Sequence, residues 1–179
     1  MPEGSGILAA GAVELIRGDI TLLAVDAFIY YAHPNLSLGA GFGTAISVRG
    51  GPAIKEQLDG SGPLATGRVI VTTAGALPAK AIIHAVGPRF QEPELESKLA
   101  NTIYSALKEA ESRGFESLAF PPMGTGFYGI PLDVCARVMI PEITTFLSET
   151  RVLKRVVICV ADAHEEKAFR ECIQAGKGE

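Results

Sequence analysis

The sequence lacks the features that mark several large protein classes. No apolar run approaches the roughly 18 residues of a membrane span, and the leading MPEGSG carries no basic region, so neither a spanning helix nor a secretory signal is expected. Cysteine is scarce: Cys135, Cys159 and Cys172 make an odd set without CxxC spacing. They read as reduced, mostly buried thiols of a cytoplasmic protein, with no disulfide frame, no metal and no cofactor implied. Positive charge is not in surplus. A formal net charge of −4 and a pI of about 5.5 argue against charge-driven binding to nucleic acid or anionic membrane, so neither partner is expected. The lysine-bearing GxxxxGK[ST] loop is missing. The run Gly39 to Gly43 is GxGxG, not GxGxxG, and no clear acidic strand end lies about 20 residues on, which leaves a dinucleotide oxidoreductase a minority reading. There is no internal repeat, low-complexity segment or linker. The 179 residues read as a flexible leader at 1–10 and one domain over 11–176.

What is present is an ordinary globular balance, 47% hydrophobic and 20% charged, arranged as alternating strands and helices. Val13 to Arg17 alternates like a strand. Asp19 then suits the cap of a short helix leading to Val25. Asp26 to Tyr31 is near-continuously apolar, as in a central strand buried on both faces. A helix from about Phe42 to Val48 resumes after Gly50-Gly51-Pro52 and runs to Leu58. Strands follow at Arg68–Thr73 and Ala81–Val86, and a long amphipathic helix over Pro93–Arg113 ends at Gly114. A strand at Leu118–Phe120 precedes a helix at about Leu132–Thr150, which Pro141 is expected to kink. Arg155–Ala161 is the last strand, and Asp162 caps a helix over Glu165 to about Ala175. This order predicts an α/β protein: a three-layer α/β/α sandwich on a mixed, mostly parallel sheet, with ligands at strand C-terminal ends.

Two glycine-rich turns leave such strand ends: Gly39-Ala40-Gly41-Phe42-Gly43, and LAFPPMGTGFYGIP from Leu118 to Pro131. Glycines let the backbone approach a ligand closely, and N–H groups at a turn and helix start hold anions. Phe127 and Tyr128 inside the second turn point to a ligand with a flat or apolar part as well.

The order GDIT (18–21), VDAFI (25–29), AISVRGGP (45–52), TGRVIVTTAGALPAKAIIHAVGP (66–88) and AFPPMGTGFYGIP resembles that of macrodomains, the ADP-ribose-binding, Appr-1″-p-processing modules. The resemblance covers about Val13 to Phe169. It implies that Asp19 accepts from the adenine amino group and that the Ile20 N–H contacts the ring. It places Gly39, Ala40, Gly41 and Phe42 on one side of a diphosphate, and Gly124, Thr125, Gly126, Phe127 and Tyr128 on the other, with Tyr128 near the distal ribose. It also implies ADP-ribose, or an ADP-ribosylated molecule, as the partner.

The chain departs from the hydrolytic members of that family. Tyr30-Tyr31-Ala32-His33 replaces the usual Asn-Ala-Ala-Asn, Gly43 stands at the position of the aspartate that helps activate water, and Ser47 at that of a histidine four residues on. A gap would bring Asn35 to the ribose but would not restore the acid. His33, at a strand end beside the first glycine loop, is the one candidate catalytic residue, with structural packing an equal reading. Tyr30 and Tyr31 point to opposite strand faces, so one is expected in the core and the other at the ribose end of the cleft. His84, in an apolar strand, reads as a core histidine. Two functions follow: a binding module for ADP-ribose or a related nucleotide, and a hydrolase acting on its distal ribose with non-standard residues. A third, a poly-adenylate or RNA-end binder, is disfavoured by the net charge.

Overall fold

The computed structural model describes residues 13–39 and 41–176. The leader assigned to residues 1–10, and Ala40 of the first glycine loop, lie outside the described residues.

Six strands form one sheet in the order β1-β6-β5-β2-β4-β3. They are β1 Val13–Arg17, β2 Ala27–Tyr31, β3 Val69–Thr73, β4 Ala81–Ala85, β5 Ser117–Phe120 and β6 Arg155–Val160. Every pairing is parallel except that of β3 with β4, whose short connection allows only an antiparallel return. The sheet is thus mixed and mostly parallel, as the strand–helix alternation predicts.

Strand sequences that look uniformly apolar are divided by parity between two cores. Ala27, Ile29 and Tyr31 of β2, Ile83 of β4 and Val156 and Ile158 of β6 enter one cluster; Phe28, Ile82, Val157 and Cys159 enter the other. The first is covered by α3 (Leu95–Ser112), α4 (Leu132–Glu149) and α5 (Ala163–Ala175). The second is covered by α1 (Phe42–Gly50) and α2 (Pro52–Leu58).

Local chemistry fixes the element ends. Pro52 occupies the first turn of α2, where its missing N–H costs nothing. Asp162 caps α5 by accepting from the Glu165 N–H at 2.9 Å, so the helix begins two residues before its expected start. The helix expected after Asp19 is a single 3-10 turn, Ile20–Leu22. The stretch α4 is one element through Pro141.

Strand direction positions the site. The parallel strands β1, β2, β5 and β6 all end at the same sheet edge. The chain leaves β2 toward the α1–α2 face and leaves neighbouring β5 toward the α4 face. Connections that part in opposite directions from adjacent strands open a crevice between them.

Candidate ligand-binding cleft

The crevice is a cleft of two lobes that share Phe42, Pro121 and Pro122. The first lobe, about 550 Å³, lies over the ends of β1 and β6 and is lined by Gly18, Asp19, Ile20, Thr125, Cys159, Ala161 and Glu165. The second, about 400 Å³, lies over the end of β2 and is lined by Tyr30, Tyr31, Gly43, Gly124, Phe127 and Tyr128. Together they fall in the size range of small-molecule sites.

Asp19 dominates the first lobe. Its carboxylate accepts from the Thr21 N–H at 2.9 Å, the Thr21 hydroxyl at 2.6 Å and the Arg49 guanidinium at 2.5 Å. Partial burial alone would lift this carboxyl, but the Thr21 and Arg49 bonds and the Arg49 charge outweigh it and hold it below its ordinary value. Cys159 sits beneath, its thiol pushed up to about 11 by burial and by the nearby Asp19 and Glu165 charges, so it is neutral and inert.

The walls between the lobes are backbone. Gly41 caps α1 with φ 63° and offers no side-chain bond, leaving the first-turn N–H groups of Phe42, Gly43 and Thr44 without an acceptor among the described residues. Opposite, the N–H groups of Gly124, Thr125, Gly126, Phe127 and Tyr128 likewise donate to no described residue. That loop is closed behind them by Gly129 N–H to Gly126 O and Ile130 N–H to Gly124 O, both 3.0 Å. Gly124 needs its lack of side chain: φ is +76°, and a Cβ would lie 2.5 Å from Ile130 Cδ1 and 3.0 Å from the Tyr31 ring. Among the described residues, no lysine or arginine lines either lobe. An anion here would be held by backbone N–H groups and a helix N-terminus.

The second lobe is phenolic. Tyr31 packs on Tyr128, ring centroids 5.0 Å apart, and its hydroxyl donates to Pro88 O. Tyr30 donates to Leu38 O at 3.2 Å and packs against Phe42 and His84. Burial first, then neighbouring Tyr128, raises both phenols above their usual range; burial also raises Tyr128, against the pull of Arg89. Among the described residues, no aspartate, glutamate, histidine, lysine or cysteine lines this lobe. It offers hydroxyls and apolar surface, but no group that takes a proton at neutral pH.

Most of the expected site residues meet here: Asp19, Ile20, Gly41, Phe42, Gly124, Thr125, Gly126, Phe127 and Tyr128 all line the two lobes. Phe127 stands out at the mouth, 91% exposed, edge-on to Tyr128. Gly39 lies on the far side of its loop, in a separate surface cavity of about 800 Å³. Asn35 and Ser47 line that cavity too. Asn35 Oδ1 accepts the Ser37 N–H at 2.8 Å, and the Ser47 hydroxyl donates to Gly43 O at 3.0 Å. His33 lines neither lobe, and its Nδ1 accepts the Asn35 N–H at 3.2 Å. The two tyrosines do not divide into core and cleft: both reach the second lobe, because it crosses the end of β2 and the last residue on either face borders it. His84 is 1% exposed and bonded to the Thr72 hydroxyl at 2.9 Å, the core histidine its strand suggested.

Several lining residues carried no local signal, namely Cys159, Ala161 and Glu165. They come from β6, the turn after it and α5, far downstream of Asp19, and only the rule that parallel strands end at one edge could have found them. Gly43 has a steric reason. A Cβ there would sit 1.5 Å from Leu38 O and 2.6 Å from the Tyr30 hydroxyl. Among the described residues no group of three His, Cys, Asp or Glu side chains could hold a metal. No helix among them is long and apolar enough to cross a membrane.

Comparisons with known proteins agree with this architecture. The family model described as Macro domain matches residues 32–139. An uncharacterised protein of Saccharolobus solfataricus is 40% identical over 152 residues, 83% of this chain and 84% of that one. A Klebsiella pneumoniae protein named O-acetyl-ADP-ribose deacetylase is 35% identical over 166 residues, covering 89% of this chain and 95% of that one. The Oceanobacillus iheyensis macrodomain with ADP superposes with a TM-score of 0.88 at 27% identity, over 97% of this chain and 96% of that one. By fold, cleft and sequence, this chain belongs to the macrodomain family.

Proposed function

We propose that this chain binds ADP-ribose, free or as the modification on another molecule, in the two-lobed cleft. One observation carries the reading: two runs of backbone N–H groups without acceptors face a cleft that has a carboxylate acceptor at one end and neutral phenols at the other. Adenine enters the first lobe, its amino group donating to Asp19 and its ring edge meeting the Ile20 N–H. The diphosphate lies between the α1 start, with Gly41 and Phe42, and the loop Gly124 to Tyr128. The distal ribose rests among Tyr30, Tyr31 and Tyr128, with Phe127 over the mouth. Fixed N–H dipoles suit two phosphates without arginines, so a chain of net charge −4 can hold an anionic nucleotide.

Binding without hydrolysis is the favoured activity, since the second lobe has no residue to activate water. The name of the Klebsiella pneumoniae relative supports a second reading, removal of an acyl group from the distal ribose. In this chain the base would have to be a ligand phosphate, or His33 brought in from outside the lobe. Turnover of O-acetyl-ADP-ribose separates the two readings. The free cysteines support a cytoplasmic setting, and the net charge of −4 disfavours nucleic acid or an anionic membrane as partner.

The adenine placement is tested with Asp19→Ala. Losing a bond to a charged acceptor costs about 1.5–3 kcal/mol, so ADP-ribose affinity should fall about ten- to hundredfold. Ribose 5-phosphate, which has no base, should bind as before. Equal proportional losses for the two ligands would contradict the assignment.

A further inference from the structure

Asp19 is held by more bonds than its own position requires, and one holder comes from another element. Oδ1 accepts both the Thr21 N–H (2.9 Å) and the Thr21 hydroxyl (2.6 Å). Oδ2 accepts Arg49 Nη1 at 2.5 Å, and the same nitrogen donates to the Thr21 hydroxyl oxygen at 2.8 Å. Asp19, Thr21 and Arg49 thus close a ring of bonds. Thr21 is fully buried, which gives the ring a rigid base. Arg49 lines neither lobe and acts on the cleft only through Asp19.

We propose that Arg49 is a positioning residue for base selection: with Thr21 it fixes the Asp19 carboxylate so that the first lobe takes a base bearing an exocyclic amino group and rejects one bearing a carbonyl there. The inference rests on the ADP-ribose reading of the cleft. An ionised carboxylate has about four acceptor positions and no donor. Three are filled by Thr21 and Arg49, leaving one, on Oδ2, the oxygen whose orientation Arg49 sets. An amino group satisfies that position. A carbonyl oxygen there faces a second acceptor in a partly desolvated site, and such mismatches are rejected by far more than a lost contact.

Without Arg49 the carboxylate loses its one cationic partner among the described residues and Oδ2 is no longer oriented, while Thr21 still holds Oδ1. Two of the influences that hold this carboxyl down, the Arg49 bond and the Arg49 charge, are then lost while the Thr21 bonds remain; its protonated form becomes more accessible, and a carboxyl group donates to a carbonyl. The other groups facing this lobe do not replace Arg49. Glu165 of α5 is an acceptor already engaged by the Ala161 N–H at 2.6 Å; the Cys159 thiol of β6 is neutral, 3.5 Å from Gly18 O. Base selection therefore depends on Arg49 most strongly at acid pH.

The test is calorimetric titration of the unaltered chain, Arg49→Met and Arg49→Lys with ADP-ribose and with its hypoxanthine analogue, at pH 7.5 and about pH 5. Met keeps the apolar stem and removes the charge. The unaltered chain should prefer the adenine ligand by at least about tenfold at both pH values. Arg49→Met should narrow this to about threefold or less at the lower pH, and Arg49→Lys should retain most of it. Carbon-13 titration of the Asp19 carboxyl without ligand gives an independent readout: Arg49→Met should raise it, because the Arg49 bond and charge that hold it down are gone. Unchanged discrimination at both pH values, or an unchanged Asp19 titration, overturns the role given to Arg49. If the unaltered chain binds neither nucleotide, the ADP-ribose reading fails and takes this inference with it. Binding with unaltered selectivity removes only the role of Arg49.

Discussion

Gly43 stands where hydrolytic relatives are expected to place an aspartate, so the obvious repair is Gly43→Asp. The structure predicts that this variant gains no hydrolysis and loses the cleft. Any Cβ at this position starts 1.5 Å from Leu38 O, 2.5 Å from its carbon and 2.6 Å from the Tyr30 hydroxyl. Non-bonded carbon contacts sit at about 3.5 Å, so the loop after β2 must retreat by about 2 Å. Overpacking of this kind costs about 1–3 kcal/mol, and the displaced Tyr30 bond to Leu38 O adds about 1 kcal/mol. The helix gains back about 0.5–1 kcal/mol on replacing glycine by alanine. The net loss for the minimal variant, Gly43→Ala, is therefore about 2 kcal/mol, or about 4–8 °C in Tm for a chain of this size. Because the same movement shifts the start of α1, ADP-ribose affinity should fall at least about tenfold. Gly126→Ala is the control for stability alone, since a Cβ at Gly126 meets nothing within 4 Å and its φ is ordinary. Thermal melting and calorimetry on both variants are sufficient. A Gly43→Ala protein with unchanged Tm and affinity would refute the steric reasoning, and a hydrolytic Gly43→Asp protein would refute the claim that this end of the cleft is committed to binding.

Three further outcomes are expected. His84 is held neutral by burial, its value pushed down to about 4 from 6.5. Its folded value is depressed, so the unfolded chain takes up the proton first. Stability is full above pH 6.5 and falls by about 3 kcal/mol as the pH drops to 4, the product of about 2.5 units and about 1.36 kcal/mol per unit. Urea unfolding at stepped pH should show that slope in the unaltered protein and lose it in His84→Gln. Asp26, at the opposite sheet edge from the cleft, accepts from the Glu116 and Ser117 N–H groups at 2.8 and 3.1 Å and pairs with Lys80 at 2.6 Å. Asp26→Ala should cost about 2–3 kcal/mol in urea unfolding while calorimetry shows ADP-ribose affinity unchanged. Gly124→Val should weaken ADP-ribose binding in the same assay by at least about tenfold, because a side chain at φ +76° meets both Ile130 and the Tyr31 ring.

The fold was largely legible because its strands and helices carry strong local signals. The two-face burial of β2 shows as an unbroken apolar run, the α2 start shows as Gly51-Pro52, and α5 shows its Asp162 cap. The glycine-rich turns that wall the cleft were legible as well, since they directly follow strands whose ends share one side of the sheet. What stayed hidden depends on contacts distant in sequence. Nothing near Arg49 marks it as the partner of Asp19, 30 residues away. Nothing near Glu165 places it across the lobe from Asp19. Asn35, Gly39 and Ser47 fall on the far side of the first loop, a placement that depends on how the whole loop packs and that no one residue signals.

The central claim is that the cleft between Asp19 and the Tyr30–Tyr31–Tyr128 cluster is an ADP-ribose site. Isothermal titration of ADP-ribose into the unaltered chain tests it most directly. The account predicts saturable binding at one nucleotide per chain, well below millimolar concentration, with no consumption of ligand; no heat of binding at millimolar ADP-ribose would contradict it.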